Sequence, residues 1–201
     1  MTIYAAIDFE TTGLPNGRDL TDPAYPRIVQ AGAVMFDDAG KVLSSLHCYV
    51  RPDWPISSGA QKVHGITEMR AGKAGIREDL VLIAIVHMSA CCEAVVTYSG
   101  FDRVIVEAGL IRLGREKDRQ TWTRPGLRWI DMQTVATPIV NERFEDGGQK
   151  WPALKTAMET IIGSSHEDAH DALGDAVAAM RLFLTCSRRG LIADMSVDAA
   201  E

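Results

Sequence analysis

Two carboxylates stand one residue apart in Asp8-Phe9-Glu10, at the end of an apolar run that begins at Ile3. Along an extended chain, positions two apart point to the same face. Asp8 and Glu10 therefore project together while Phe9 points into the opposite layer. Such a pair repels itself unless a cation sits between the two groups. Hard oxygen donors of this kind suit Mg²⁺ or Mn²⁺, which keep several waters and also take substrate phosphate. A second group lies near the C-terminus, in His170-Asp171-Ala172-Leu173-Gly174-Asp175. There an acid can bind metal while a histidine, whose imidazole titrates near neutral pH, takes a proton from a metal-bound water. Between these lies Phe101-Asp102, directly after the apolar run Ala94 to Tyr98. Asp102 is placed either to cap a helix or to point an acid at the same site. Taken singly, each motif also fits a plainer role as solvated strand end, helix cap or surface histidine.

The elements that must position these groups are legible in outline. Ile3 to Phe9 reads as a buried strand, and the prolines and glycines between Gly13 and Arg27 as a loop. Ile28 to Phe36 and Val42 to Val50 flank the turn Asp37-Asp38-Ala39-Gly40 and predict a hairpin. Ile76 to Cys92 is long and has few breakers, which predicts one helix. A strand over Ala94 to Tyr98, a helix over Asp102 to Leu113 and a short strand over Arg128 to Ile130 follow. Asp131 is placed to cap a helix running to Thr137, before Pro138. Trp151 to Ile162 and Ala169 to Ser187 predict two amphipathic helices. Strands first and alternation later predict a mixed sheet covered by helices.

Composition narrows the setting. A chain of 201 residues with 46% apolar and 24% charged residues suits one folded domain and argues against disorder. No apolar run is long enough to span a membrane, and the N-terminus lacks a basic segment followed by an apolar one. A cytosolic (cytoplasmic) protein without membrane association is the expectation. Cys48, Cys91, Cys92 and Cys186 lack metal-ligand spacing and read as reduced, buried thiols. The net charge of −6 gives no global attraction for a polyphosphate, so nucleic-acid binding needs local cations. Arg103, Arg112, Arg115, Lys117, Arg119, Arg124 and Arg128 form one basic stretch, which reads either as a solvated face or as a track for a single-strand backbone.

The order D-x-E, then F-D, then H-x-A-x-x-D resembles the DEDDh 3′→5′ exonucleases. That family includes the proofreading epsilon subunit of bacterial DNA polymerase III, ribonuclease T and oligoribonuclease. Ile28-Val29-Gln30-Ala31-Gly32-Ala33-Val34 looks like the family's second strand, and Tyr49-Val50-Arg51-Pro52 with Val63-His64-Gly65-Ile66-Thr67 like its third strand and the turn beyond. The resemblance implies an α/β, ribonuclease H-like fold, a mixed five-stranded sheet flanked by helices, over residues 1–188, with 189–201 as a short tail. It implies two ions, Mg²⁺ or Mn²⁺, held by Asp8, Glu10, Asp102 and Asp175, with His170 as general base. Phe9, Thr11 and Thr12 resemble contacts to the terminal nucleotide through a backbone or hydroxyl group, and His64 resembles a residue of the substrate pocket; a turn hydrogen bond is the other role open to His64. One departure stands out: Thr97 and Tyr98 occupy places where relatives commonly carry a His-Asn pair. Glu107 and Asp131 are therefore alternatives to Asp102 as the third carboxylate.

The function implied is metal-dependent removal of nucleotides from the 3′ ends of single-stranded DNA or RNA, releasing nucleoside monophosphates. DNA stands ahead of RNA, because D-F-E-T-T-G and V-H-G-I-T look more like the polymerase-associated branch. Small-RNA trimming is the runner-up, and a non-catalytic nucleic-acid adaptor is the reading from a different class. Several relatives are homodimers, and the sequence itself leaves the oligomeric state open.

Overall fold

The structure, a computed structural model, describes residues 1–166 and 170–192. The chain runs β1 (Ile3–Thr11), β2 (Ile28–Asp37), β3 (Val42–Arg51), α1 (Ser58–His64), α2 (Glu68–Ala74), β4 (Ile76–Arg77) and α3 (Glu78–Ala90). It continues through β5 (Ala94–Thr97), α4 (Phe101–Arg112), α5 (Glu116–Trp122), β6 (Arg128–Asp131), α6 (Met132–Val140), α7 (Leu154–Ala157) and α8 (Ala172–Arg188). One mixed sheet of six strands, in the order β4-β3-β2-β1-β5-β6, forms the centre. The pairs β1–β2 and β2–β3 are antiparallel, and β1–β5, β5–β6 and β3–β4 are parallel.

Alternation along β1 decides what each face carries. Ile7 and Phe9 point into one core, with Ala33, Val95, Val81, Ile85, Ile105 and Trp122. Ala6 points into the other, with Val34, Val96, Met158, Leu182 and Phe183. Asp8 and Glu10 share the face of Ala6, so α8 crosses the same side of the sheet as the two acids. At β2, Gly32 pairs with Asp8, and a Cβ there would lie 2.1 Å from the Ala172 carbonyl oxygen. Only glycine lets the start of α8 lie flush against the sheet at that point.

Several expectations are corrected in detail. The sheet has six strands rather than five, because Ile76 and Arg77 pair with the end of β3 before α3 begins. Gly75 permits this: a side chain there would meet the Ala71 oxygen at 2.2 Å and the Arg51 nitrogen at 2.6 Å. The expected helix from Ile76 thus starts at Glu78. The His-Gly-Ile-Thr segment ends one short helix and opens another: Gly65 stops α1 at φ 68°, and the Thr67 hydroxyl accepts from Arg70 N–H to cap α2. Pro138 lies inside α6, in its last turn, and left-handed Asn141 provides the stop. The helix expected over Trp151 to Ile162 is one turn of α-helix followed by a π-helical turn, Met158–Ile162. The last helix begins at Ala172; the expected start at Ala169 and tail residues 193–201 lie outside the described residues. Among the described residues no helix is long and apolar enough to cross a membrane.

Candidate active site

Three chain segments bring acids to one end of the sheet. β1 ends in Asp8 and Glu10, with a register shift after Glu10 that turns the strand toward the loop. β5 is parallel to β1 and beside it, so the helix that follows it, α4, starts at the same end and brings Asp102 there. Asp102 is only 3% exposed, in the first turn of α4. From the α8 layer comes Asp175, also buried and in a first helical turn, where the helix dipole favours a carboxylate. Glu10, Asp175 and His170 each offer a ligand atom within 4.8 Å of the others.

Crowding shows in the electrostatics. Burial first, then the charges of Asp102, Asp175, Glu10 and Asp171, hold Asp8 well above the usual carboxylate range. Burial, with Asp175 and Asp171 adding, pushes Glu10 up to about 7. Asp102 is also raised well above its ordinary value by burial. The backbone N–H groups of Phe9 and of Asp102 itself work against that rise, and the charges of Asp131 and Glu10 add to it. Carboxylates whose protons are held chiefly by burial, with neighbouring charges adding, are the donor set that a divalent cation ionises and binds.

Two histidines border these acids. His170 is exposed and stands in a left-handed backbone conformation, φ 66°, which a side-chain-bearing residue adopts at some strain. Its own N–H donates to Asp175 Oδ2 at 3.2 Å. His166, with its side chain buried, contacts Asp175 Oδ1 through Nε2. Beside Glu10 opens a cavity of about 490 Å³, walled by Thr11, Leu14, Ala60, Val63 and His64 among others. His64 is fixed there: Nε2 lies 3.2 Å from the Thr11 carbonyl oxygen and Nδ1 accepts from Ile66 N–H at 3.0 Å. The Thr11 carbonyl can only accept, so Nε2 carries the ring proton. Burial first lowers the pKa of His64; the Thr11 contact opposes this and nearby His170 reinforces it.

A sequence profile for the family described as "Exonuclease" (RNase_T) matches residues 5–183. The chain belongs to the DEDD-type 3′→5′ exonucleases. It is 27% identical to DNA polymerase III subunit epsilon of Buchnera aphidicola over 197 residues, 97% of this chain and 78% of that one. The epsilon subunit of Pasteurella multocida is 24% identical over 191 residues, 92% of this chain and 68% of that one. Among solved structures, E. coli exonuclease I in complex with a dT13 oligonucleotide superposes with a TM-score of 0.73 at 21% identity. That match covers 94% of this chain and 42% of exonuclease I, so the chain spans about two fifths of that protein. The superposition bears on fold, and the ribonuclease H-like α/β architecture is shared.

Within this exonuclease fold the structure brings together Asp8, Glu10, Asp102, Asp175 and His170. Of the two alternatives to Asp102, Glu107 is 3.3 Å from Arg119, and Asp131 caps α6 by accepting from Gln133 N–H at 2.8 Å. Tyr98, at one of the departing positions, is a buried anchor whose hydroxyl donates to the Pro152 carbonyl at 2.8 Å. The expected nucleotide contacts divide. Thr11 and His64 line the cavity, while the Phe9 side chain belongs to the opposite core because of strand alternation. Thr12 is buried and occupied in the loop, accepting from Arg27 N–H at 3.0 Å. The arginines of the basic stretch have partners within the protein. Arg112 pairs with Glu78, Arg115 with Asp118, Arg119 with Glu116 and Glu107, and Arg128 lies 3.9 Å from Glu93. Arg103 lies over the Trp129 ring and Arg124 donates to main-chain carbonyls. A backbone track made of these arginines is therefore not supported. His166 gave no signal in the sequence, since a lone histidine four residues before a motif has no distinguishing pattern.

Proposed function

We propose that this exonuclease removes nucleotides one at a time from the 3′ ends of single-stranded nucleic acid, DNA ahead of RNA. The observation that carries the reading is the convergence of Asp8, Glu10, Asp102 and Asp175, beside His170, with Glu10 also lining a largely apolar cavity. The donor set, all oxygen with one imidazole close by, fits Mg²⁺ or Mn²⁺. Asp8, Glu10, Asp102 and Asp175 would hold such ions. Bound divalent ions supply Lewis acidity, acidifying a water and neutralising charge on the phosphate and the departing 3′ oxygen.

The chain's own groups do the rest. His170, exposed at the rim, accepts the proton of the attacking water. The water oxygen bonds to phosphorus as the P–O bond to the penultimate nucleotide's 3′ oxygen breaks, and that oxygen takes a proton from solvent, giving a nucleoside 5′-monophosphate and a new 3′ hydroxyl. Thr11, Leu14, Val63 and His64 receive the terminal nucleoside. Neutral His64 adds no charge of its own to that pocket. DNA is placed first because the epsilon relatives are DNA polymerase subunits and the superposed exonuclease I holds dT13. Retention of four acids and a histidine in one place weighs against the non-catalytic adaptor.

The test is digestion of 5′-labelled single-stranded DNA and RNA of matched sequence with Mg²⁺, Mn²⁺ or EDTA, beside His170→Ala. The expected result is a ladder shrinking from the 3′ end, faster on DNA, lost with EDTA and reduced about 10²–10⁴-fold in the variant. RNA cut faster than DNA would make small-RNA trimming the function. Binding without cleavage of either would return the adaptor reading.

A further inference from the structure

Gln30 is a polar residue in the middle of an apolar strand, 2% exposed, on the face of β2 that α8 crosses. A buried amide is tolerated only when its hydrogen-bonding groups are met. Here they are met almost wholly at the start of α8. The amide nitrogen donates to Asp171 Oδ2 at 2.9 Å and lies 2.9 Å from His47 Nε2. The amide oxygen accepts from Ala172 N–H at 3.2 Å. His47 Nε2 also lies 3.2 Å from the same Asp171 Oδ2, so the amide, the imidazole and the carboxylate meet in one polar cluster at the helix start. The other Asp171 oxygen accepts from Gly174 N–H at 3.1 Å, capping α8.

Gln30 thus holds two successive residues of α8's first turn at two points. Its position gives that hold a reference, because Gln30 pairs with Glu10 across the β1–β2 ladder. His170 immediately precedes Asp171. Asp175 lies one helical turn beyond it, with its N–H on the Asp171 carbonyl at 2.9 Å. We propose that Gln30 and Asp171 form a clip that sets His170 and Asp175 in register with the carboxylates of β1, making both positioning residues of the exonuclease site. The proposal rests on the assignment of Asp175 and His170 made above. An apolar side chain at position 30 would still pack against α8, but it would leave the helix start without a fixed distance from Glu10.

The test combines Mn²⁺ binding, read by electron paramagnetic resonance, with steady-state cleavage of a single-stranded oligonucleotide. Gln30→Leu and Gln30→Glu are each expected to weaken Mn²⁺ binding and lower kcat by about 10–100-fold, with KM changed by less than about threefold. The exchange Gln30→Glu with Asp171→Asn reverses donor and acceptor at constant net charge, keeps an acceptor for Ala172 N–H and keeps a cap for Gly174. It is expected to recover both readouts to within about threefold of the parent. A folded Gln30→Leu protein with parental Mn²⁺ affinity and kcat would overturn the clip. If Gln30→Leu fails to fold, the exchange decides alone: a double variant as impaired as Gln30→Glu overturns it. A parent protein that neither binds Mn²⁺ nor cleaves would overturn the site assignment itself, and the clip with it.

Discussion

At the residue scale the sharpest contrast is between His166, whose imidazole contacts Asp175, and His170, which bonds the same aspartate through its backbone N–H and keeps its ring within 4.8 Å of it. His170 is exposed at the rim, where a water and a phosphate can approach, whereas the His166 side chain is buried against Asp175. A general base needs access to the attacking water, so His170→Ala should lose about 10²–10⁴-fold in kcat and His166→Ala no more than about tenfold. Single-turnover rates check this, and the reverse ranking would transfer the base role to His166. Glu10 carries a second prediction. Without metal it keeps its proton up to about pH 7, while an unfolded chain loses that proton near 4.5. The folded state therefore loses stability as pH rises through that window, and the full penalty applies above it. Divalent ions bind the ionised form and reverse the trend. Mn²⁺ should raise the melting temperature strongly at about pH 8 and little at about pH 5, its affinity falling roughly tenfold per pH unit for each proton displaced. Equal stabilisation at both pH values would place the bound ion away from this cluster.

At the element scale, helix starts and strand ends separate carboxylates that bind from carboxylates that cap. Asp102 and Asp131 both lie at the start of a helix that follows a parallel strand. Asp131 Oδ1 accepts from the Gln133 and Thr134 N–H groups as the α6 cap, while Gly100, not Asp102, stands at the cap position of α4. Asn caps a helix about as well as Asp does. Asp131→Asn should therefore keep stability and activity near the parent's, and Asp131→Ala should cost about 1 kcal/mol in urea denaturation. Asp102→Asn should instead abolish most metal-dependent turnover. Loss of activity in Asp131→Asn, with the fold intact, would restore Asp131 as a ligand candidate. Gly32 is what brings α8 close enough for any of this to matter, because its missing side chain makes room for the Ala172 carbonyl.

At the scale of the whole molecule the question is how a chain of net charge −6 holds a polyanion. The arginines between Arg103 and Arg128 already face acids, carbonyls or an aromatic ring within the protein. Their contribution to counterion release on binding should be small. Arg115→Gln with Arg119→Gln should change the slope of log affinity against log salt by less than about one. EDTA, by contrast, should weaken oligonucleotide binding markedly. A slope reduced by two or more in the double variant would reinstate the basic stretch as part of the track.

The features legible in the chain alone were local. Alternation in β1 placed Asp8 and Glu10 on one face, Asp131 read as a cap, and motif order alone pointed to the exonuclease family. Each of those depends on neighbours within a few residues or on the order of short patterns. Other features depend on contacts between distant segments, and no local pattern encodes them. The arginines looked free until their acids, up to 35 positions away, were seen beside them. The sixth strand exists because Gly75 fits between Ala71 and Arg51, a space that only the packed chain creates. Gln30 reaches a helix 141 residues onward, and that approach, made by folding, is what fixes the acid of α8 relative to those of β1.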